Sequence, residues 1–250
     1  MVNGHYAILF NYSMAASLFS QTRRTFLLSA AKQPLSIGGI RFETEQNSRS
    51  KRRYLHIHGN ESTAREVLRE HTKLNKGIYY FVVSDKRMVP VGDCMIDPNR
   101  MFTRDGARKS LERWNKSKTA TQIDAAMALL DRDRDSFLKT VIPPKGGIMI
   151  ALHNNSDGYS IQDELAISDK VSMPDPDNPR DFMLATNEAD YEKIAKGRFN
   201  IVLQKLVRSD DGSFSVLAAG RAIRYVNIEA AIGNFEKQKA MLGFLEIVLR

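Results

Sequence analysis

Four residues, His58-Gly59-Asn60-Glu61, follow a short apolar run, Tyr54-Leu55-His56-Ile57. A second apolar run ends at His153, and Asn99-Arg100 lies between the two in the chain. Two imidazoles and a carboxylate at strand ends can hold a zinc ion and leave its fourth position open. That is the arrangement of catalytic rather than structural zinc sites. An arginine near such a centre suits a substrate carboxylate, which it grips through two parallel hydrogen bonds. His58 and Glu61 stand three residues apart, so a turn can bring both onto one ion. The chain has five histidines. His5 lies in the N-terminal segment, His56 inside the first apolar run and His71 in a helical stretch, and His153 is the natural third ligand. The set points to metal-assisted hydrolysis with one zinc per chain.

Composition is consistent with a soluble chain that has a sizeable core. The 250 residues suit one domain, or one domain plus a tail, with 42% hydrophobic residues and a mean hydropathy of −0.36. No apolar run approaches the ~20 residues of a membrane-spanning helix. The single cysteine, Cys94, excludes an intramolecular disulfide and any multi-cysteine metal site. The net charge of +8 raises the question of nucleic acid, but residues 1–53 carry eight Lys/Arg against two Glu and the remainder 29 against 27. The body of the chain lacks the basic stripe with interleaved aromatics that such a surface needs. The expected partner is therefore a small molecule or peptide, with no nucleic acid and no membrane span.

Residues 1–50 read as an N-terminal leader and 51–250 as the hydrolase domain, with residues 1 to about 35 outside the folded part. Arg23-Arg24 followed by Phe26, Leu27 and Leu28 resembles a twin-arginine export signal. The apolar stretch from Phe26 to Ala31 is shorter than the roughly 7–15 residues of an ordinary signal, and Lys32 interrupts it. Export to the periplasm follows if the segment is a signal, and a cytoplasmic location if the arginine pair is fortuitous.

The elements that must position the donors follow from periodicity. Tyr54–His58, Ile78–Val83, Gly147–Leu152, Asn200–Leu206 and Arg224–Glu229 read as strands, several apolar enough to be buried on both faces. Ala64–Lys73, Arg104–Asn115, Gln122–Val141, Asn187–Lys196 and a last segment with Phe235, Leu242, Leu245 and Leu249 on one stripe read as helices, that at Arg104–Asn115 exposed. Asp97-Pro98-Asn99 and Asp210-Asp211-Gly212 read as turns, and Ser168–Arg180 as a loop. Strands alternating with helices predict an α/β layered sheet. In such sheets ligand sites gather at the carboxyl ends of strands, where His58, Glu61 and His153 all fall.

Taken together, His58-Gly59-Asn60-Glu61, Asp97-Pro98-Asn99-Arg100 and Leu152-His153-Asn154-Asn155 resemble the motifs of the zinc carboxypeptidase superfamily, closest to its succinylglutamate desuccinylase/aspartoacylase branch. The resemblance spans roughly residues 50–250. It implies a three-layer α/β sandwich with a central mixed, mostly parallel sheet. It also implies zinc on His58, Glu61 and His153, with Asn99 and Arg100 on a substrate carboxylate. Pro98 stands where the family usually has an aliphatic residue, and the chain is short for the two-domain aspartoacylase plan.

The same resemblance calls for a late glutamate as general base. Glu229, in the strand Tyr225-Val226-Asn227-Ile228-Glu229, is preferred over Glu246, whose surroundings read as helix. Glu229 would take a proton from water and pass it to the leaving amine. Arg87 is the candidate for stabilising the oxyanion, and either Tyr159 or Tyr225 could lie near the site. Three functions fit these residues: a carboxypeptidase or amidohydrolase, a deacylase of N-acyl amino acids, and a degenerate member that binds a ligand without turnover. The leader yields the first test. A chain beginning near Leu35 should fold and keep its activity; failure to fold would refute the assignment. If the segment is a signal, Arg23→Lys/Arg24→Lys should retain the protein in the cytoplasm.

Overall fold

The computed structural model describes Met1 and residues 35–156 and 158–249. Arg23-Arg24, His5 and the rest of residues 2–34 lie outside the described residues. Among the described residues, eleven strands and seven α-helices follow in order: β1 (Leu35–Ile37), β2 (Ile40–Asn47), β3 (Arg52–His56), α1 (Ser62–Leu74), β4 (Gly77–Val82), β5 (Val89–Val91), β6 (Cys94–Ile96), α2 (Arg104–Trp114) and α3 (Ala120–Val141). Then come β7 (Ile148–Asn155), α4 (Ile161–Glu164), β8 (Lys170–Ser172), β9 (Phe182–Ala185), α5 (Glu188–Ile194), β10 (Asn200–Leu203), α6 (Phe214–Gly220), β11 (Tyr225–Ala231) and α7 (Phe235–Val248). None of the described helices is long and apolar enough to cross a membrane.

Nine strands form one sheet in the order β1-β2-β4-β3-β7-β11-β9-β10-β8, and β5-β6 form a separate hairpin. The pairings β4-β3, β3-β7, β7-β11 and β9-β10 are parallel; those at β1-β2, β2-β4, β11-β9 and β10-β8 are antiparallel. Six strands thus run one way and three the other, a mixed, mostly parallel sheet. Its middle strands are apolar on both faces, as parallel strands covered by helices require. All eight residues of β7 are buried.

Helices close both faces. On one, Leu55, Tyr80, Met149, Ala151, Leu184 and Tyr225 pack against the apolar stripes of α2, α3 and α6. On the other, Tyr54, Ile150, Leu152 and Ile228 pack against α1, α5 and α7. The result is a three-layer α/β sandwich with a core on each side of the sheet. Helix α3 begins at a Thr119/Gln122 capping box and ends just before Pro143-Pro144.

The structure corrects several sequence expectations. The sheet takes in residues 35–47, which the sequence pattern assigns to the leader, because β1 and β2 form one margin of it. In β2 only Ile40 and Phe42 are buried, while Arg41, Glu43 and Glu45 face out, so charge masked the alternation. The Ser168–Arg180 loop contains β8, a strand on the opposite edge. Helix α2 is not simply exposed: Ala107 and Leu111 are buried against the core. Strand β9, helix α6 and the β5-β6 hairpin had no counterpart in the reading, since each is too short to show a period.

Glu246 lies on α7, as its helical stripe predicts, and is partly buried. Its carboxylate accepts from Tyr54 Oη at 2.7 Å and from Arg52 Nη1 at 3.2 Å, tying the last helix to β3. Glu246→Gln should therefore lower unfolding stability by up to about 1.5–3 kcal/mol, the range for hydrogen bonds to charged groups. Urea denaturation measures this, and an unchanged midpoint would mean that the contact contributes nothing.

Candidate metal centre

Parallel pairing brings the donors together. In the β7-β11 register His153 and Glu229 are direct partners, so both side chains leave the same face of adjacent strands. Strand β3 pairs with β7 on the other side, and His58 follows just past its carboxyl end. From there the chain turns into α1. The Glu61 amide donates to the His58 carbonyl at 3.2 Å, and this turn places Glu61 directly before the helix. Gly59 is required within it, since a Cβ there would collide with the Ser84 carbonyl.

His58, Glu61 and His153 are 2%, 2% and 3% exposed. One donor atom from each lies within 4.8 Å of the others. His58 Nδ1 is 3.2 Å from His153 Nδ1 and 2.7 Å from Glu61 Oε1, and His153 Nδ1 is 3.3 Å from Glu61 Oε2. Ligands about 2.0–2.1 Å from a tetrahedral zinc stand roughly 3.3 Å apart, so these separations suit one ion. Glu61 Oε2 is also buried without a hydrogen bond, an orphaned acceptor that a cation would satisfy. The residues present therefore fit a metal of the zinc type.

Sequence reasoning missed Asp97. Its Oδ1 lies 2.7 Å from His58 Nε2. An ionised carboxylate only accepts, so Asp97 fixes the proton on Nε2 and turns the Nδ1 lone pair toward Glu61 and His153. Asp97 is itself held by the Asn99 amide at 2.8 Å, at the start of a single 3₁₀ turn, Pro98–Arg100. In the sequence Asp97 opens a turn and the Asp97–Arg100 motif, and neither pattern points to His58. Burial pulls the His58 imidazole down, but Glu61 and Asp97 outweigh it and push it up to about 9. Burial raises the Glu61 carboxyl, yet His58 and His153 hold it well below the usual carboxylate range. Asp97 is likewise held low against its burial by His58 and Arg87.

The other expected site residues line one cleft of about 600 Å³ with the three donors: Arg87, Asn99, Arg100, Tyr159 and Glu229. Tyr225 does not line it and is buried beneath α6. Glu229 is buried, accepts from Asn227 Nδ2 at 3.0 Å, and is pushed up by burial and by Glu61, against the lowering effect of His153. Arg87 is half exposed and spans two carboxylates, with Nη1 at 3.2 Å from Glu61 and Nη2 at 3.2 Å from Asp97. Arg100 meets Asp211 at 3.2 Å and the Asn99 carbonyl at 3.0 Å. Asn99 Oδ1 accepts from the Phe214 amide, leaving its Nδ2 without a partner among the described residues. The Arg100 backbone packs against Gly212, whose φ of 83° and lack of Cβ permit the approach.

No protein-family model matches the chain, and no curated protein matches it. Solved structures similar to it include a candidate metallopeptidase from Shewanella baltica OS155, at 12% identity and a TM-score of 0.43, covering 86% of this chain and 85% of that chain. Others are candidate metallopeptidases from Shewanella denitrificans OS217 (10% identity, TM-score 0.42, 87% and 84% covered) and Shewanella amazonensis SB2B (12%, 0.42, 86% and 86%).

Two variants test the centre. His58→Ala/His153→Ala should abolish stoichiometric zinc retention in metal analysis. Asp97→Asn keeps the size of the residue but loses the charge behind His58, and should weaken zinc affinity about 10–100-fold in competition with a chelator. Unchanged affinity would show that Asp97 has no part in orienting the ligand.

Proposed function

We propose that this chain is a zinc-dependent hydrolase that cleaves an amide bond beside a substrate carboxylate, at the end of a peptide. The observation that carries this reading is the joint placement, in one cleft, of the His58-Glu61-His153 donor set, the Glu229 carboxylate next to His153, and Arg100 with Asn99. Zinc bound there would supply Lewis acidity, polarising the scissile carbonyl and lowering the pKa of water to about 7.

The chain's own residues do the rest. Glu229 is not a ligand in this reading; it takes a proton from the attacking water and delivers it to the leaving nitrogen. Asn227 Nδ2 holds the Glu229 carboxylate in place. Arg100 and the Asn99 amide receive the substrate carboxylate, and Asp211 keeps the Arg100 guanidinium directed. Arg87 is the cation nearest the ligands, so stabilisation of the oxyanion falls to it, with Glu61 and Asp97 fixing its position.

A peptide is favoured over a small N-acyl amino acid by the cleft's mouth. Ile167, Leu206, Val207 and Ile232 line it and are all exposed. An apolar rim of this kind suits contacts along a longer substrate.

The deciding experiment is hydrolysis of peptides with free and amidated carboxyl termini, set beside N-acyl amino acids. Free-terminus peptides should be cleaved fastest. Glu229→Gln should lower kcat about 10²–10⁴-fold with zinc content unchanged. A Glu229→Gln enzyme as fast as the wild type would remove Glu229 as the base. Zinc and peptide binding without turnover in the wild type would leave a binding protein.

A further inference from the structure

Besides the three donors, the cleft is lined by further polar groups, and its charges are unevenly compensated. Each arginine that lines it has a carboxylate partner: Arg87 with Glu61 and Asp97, Arg100 with Asp211, and Arg208 with Asp169. Glu164 lines the cleft too, but its partners are neutral. The Tyr159 hydroxyl donates to one oxygen and the Gln204 amide to the other. Among the described residues Glu164 has no cationic partner. A carboxylate in a confined cleft without a counter-charge is an attractive site for a ligand cation.

The neighbouring groups point the same way. Gln204 gives its Nε2 hydrogens to Glu164, so its Oε1 remains as an acceptor, with no donor to it among the described residues. Asn227 gives Nδ2 to Glu229, and its Oδ1 is buried at the cleft floor without a hydrogen bond. The cleft therefore also presents a carboxylate and two amide oxygens, while the arginines that line it are already paired with carboxylates. Leu184, Val216 and Ala219 add apolar wall to the same cleft. Apolar wall beside acceptors suits a methylene stem with a charged head.

We propose that the cleft is selective for a substrate with a basic side chain, an ammonium or guanidinium, which Glu164 receives with help from Gln204 and Asn227. This rests on the hydrolase reading above and specifies its substrate class. With Arg100 on the terminal carboxylate and Glu164 on the side chain, the released residue is a carboxy-terminal lysine or arginine.

The test uses the zinc-loaded full chain and Nα-acylated dipeptides ending in Lys, Arg, Leu or Glu, with calorimetric titration of free L-lysine and L-leucine alongside. The wild type should prefer Lys or Arg over Leu by about 10–100-fold in kcat/KM, the range for one charge-assisted contact. Glu164→Gln should collapse that ratio toward one, and Glu164→Lys should turn the preference toward Glu. Zinc content and thermal midpoint confirm that each variant is folded. An unchanged Lys-to-Leu ratio in both variants, with hydrolysis intact, would overturn the subsite and leave the hydrolase reading standing. Lysine binding that Glu164→Gln abolishes, with no hydrolysis of any peptide, would support the subsite and overturn the hydrolase reading instead. An unblocked dipeptide ending in Leu that outperforms the acylated one ending in Lys would mean that Glu164 takes an α-ammonium group, and the side-chain assignment would fall.

Discussion

The structure turns on one buried carboxylate. Glu61 is 2% exposed, and an ionised carboxylate out of water is stable only if charge and hydrogen bonds replace its hydration. His58, His153 and Arg87 all face it. Its position carries a further consequence. Glu61 stands where the N-cap of α1 belongs, yet its side chain makes no capping bond. The Ala64 amide is satisfied instead by Asn154 Oδ1 at 2.8 Å, from the strand residue that follows His153. Asn154 then donates to Gln238, and Gln238 to the His153 carbonyl at 2.8 Å. The chain thus frees Glu61 from capping by assigning the cap to β7, and the same network ties α1, β7 and α7 together beneath the site.

Strand direction does the remaining positioning. Because β3, β7 and β11 run parallel, their carboxyl ends deliver His58, His153 and Glu229 to one edge of the sheet without long loops. Strand β9 runs antiparallel to β11 with Leu184 opposite Asn227, so the sheet continues as the cleft floor on the far side of Glu229. The outer wall comes from the segment between β10 and α6, held by Gly212 against the Arg100 backbone and by the Phe102 amide on the Gly212 carbonyl at 3.0 Å. A rigid sheet thus carries the donor set, and connecting segments carry the groups that would meet substrate in the proposed reaction.

What could be read from the sequence divides along the same line. The spacing of His58 and Glu61, the apolar run before His153 and the strand holding Glu229 are local patterns, and the structure brings these residues together. Asp97 was hidden because its partner, His58, is thirty-nine residues away in sequence, and a turn-forming Asp looks the same whether or not it holds an imidazole. Glu246 shows the converse: its helical stripe was visible, but its partners Arg52 and Tyr54 lie almost two hundred residues earlier. Strands β1 and β2 escaped because β1 is only three residues long and β2 turns Arg41, Glu43 and Glu45 outward, so neither carries much apolar signal. Register between distant strands, which decides that Glu229 sits opposite His153, leaves no local trace at all.

The cost of the site explains the character of its surroundings. A buried cluster of two imidazoles and three carboxylates, counting Asp97 and Glu229, is a poor source of stability, because desolvation offsets much of the mutual attraction. The fold tolerates it by placing it above two independent apolar cores, one on each face of the sheet. Leu152, Ile228 and Ile150, on the opposite face of the same strands, are fully buried among α1 and α7 side chains. Each strand therefore has one residue facing the centre and the next anchored in a core. Such alternation lets a strained polar arrangement persist, since moving a ligand would also move a packed side chain. Rigidity is what the proposed metal centre and base would require, because such groups must be held to within about 0.5 Å of their working geometry.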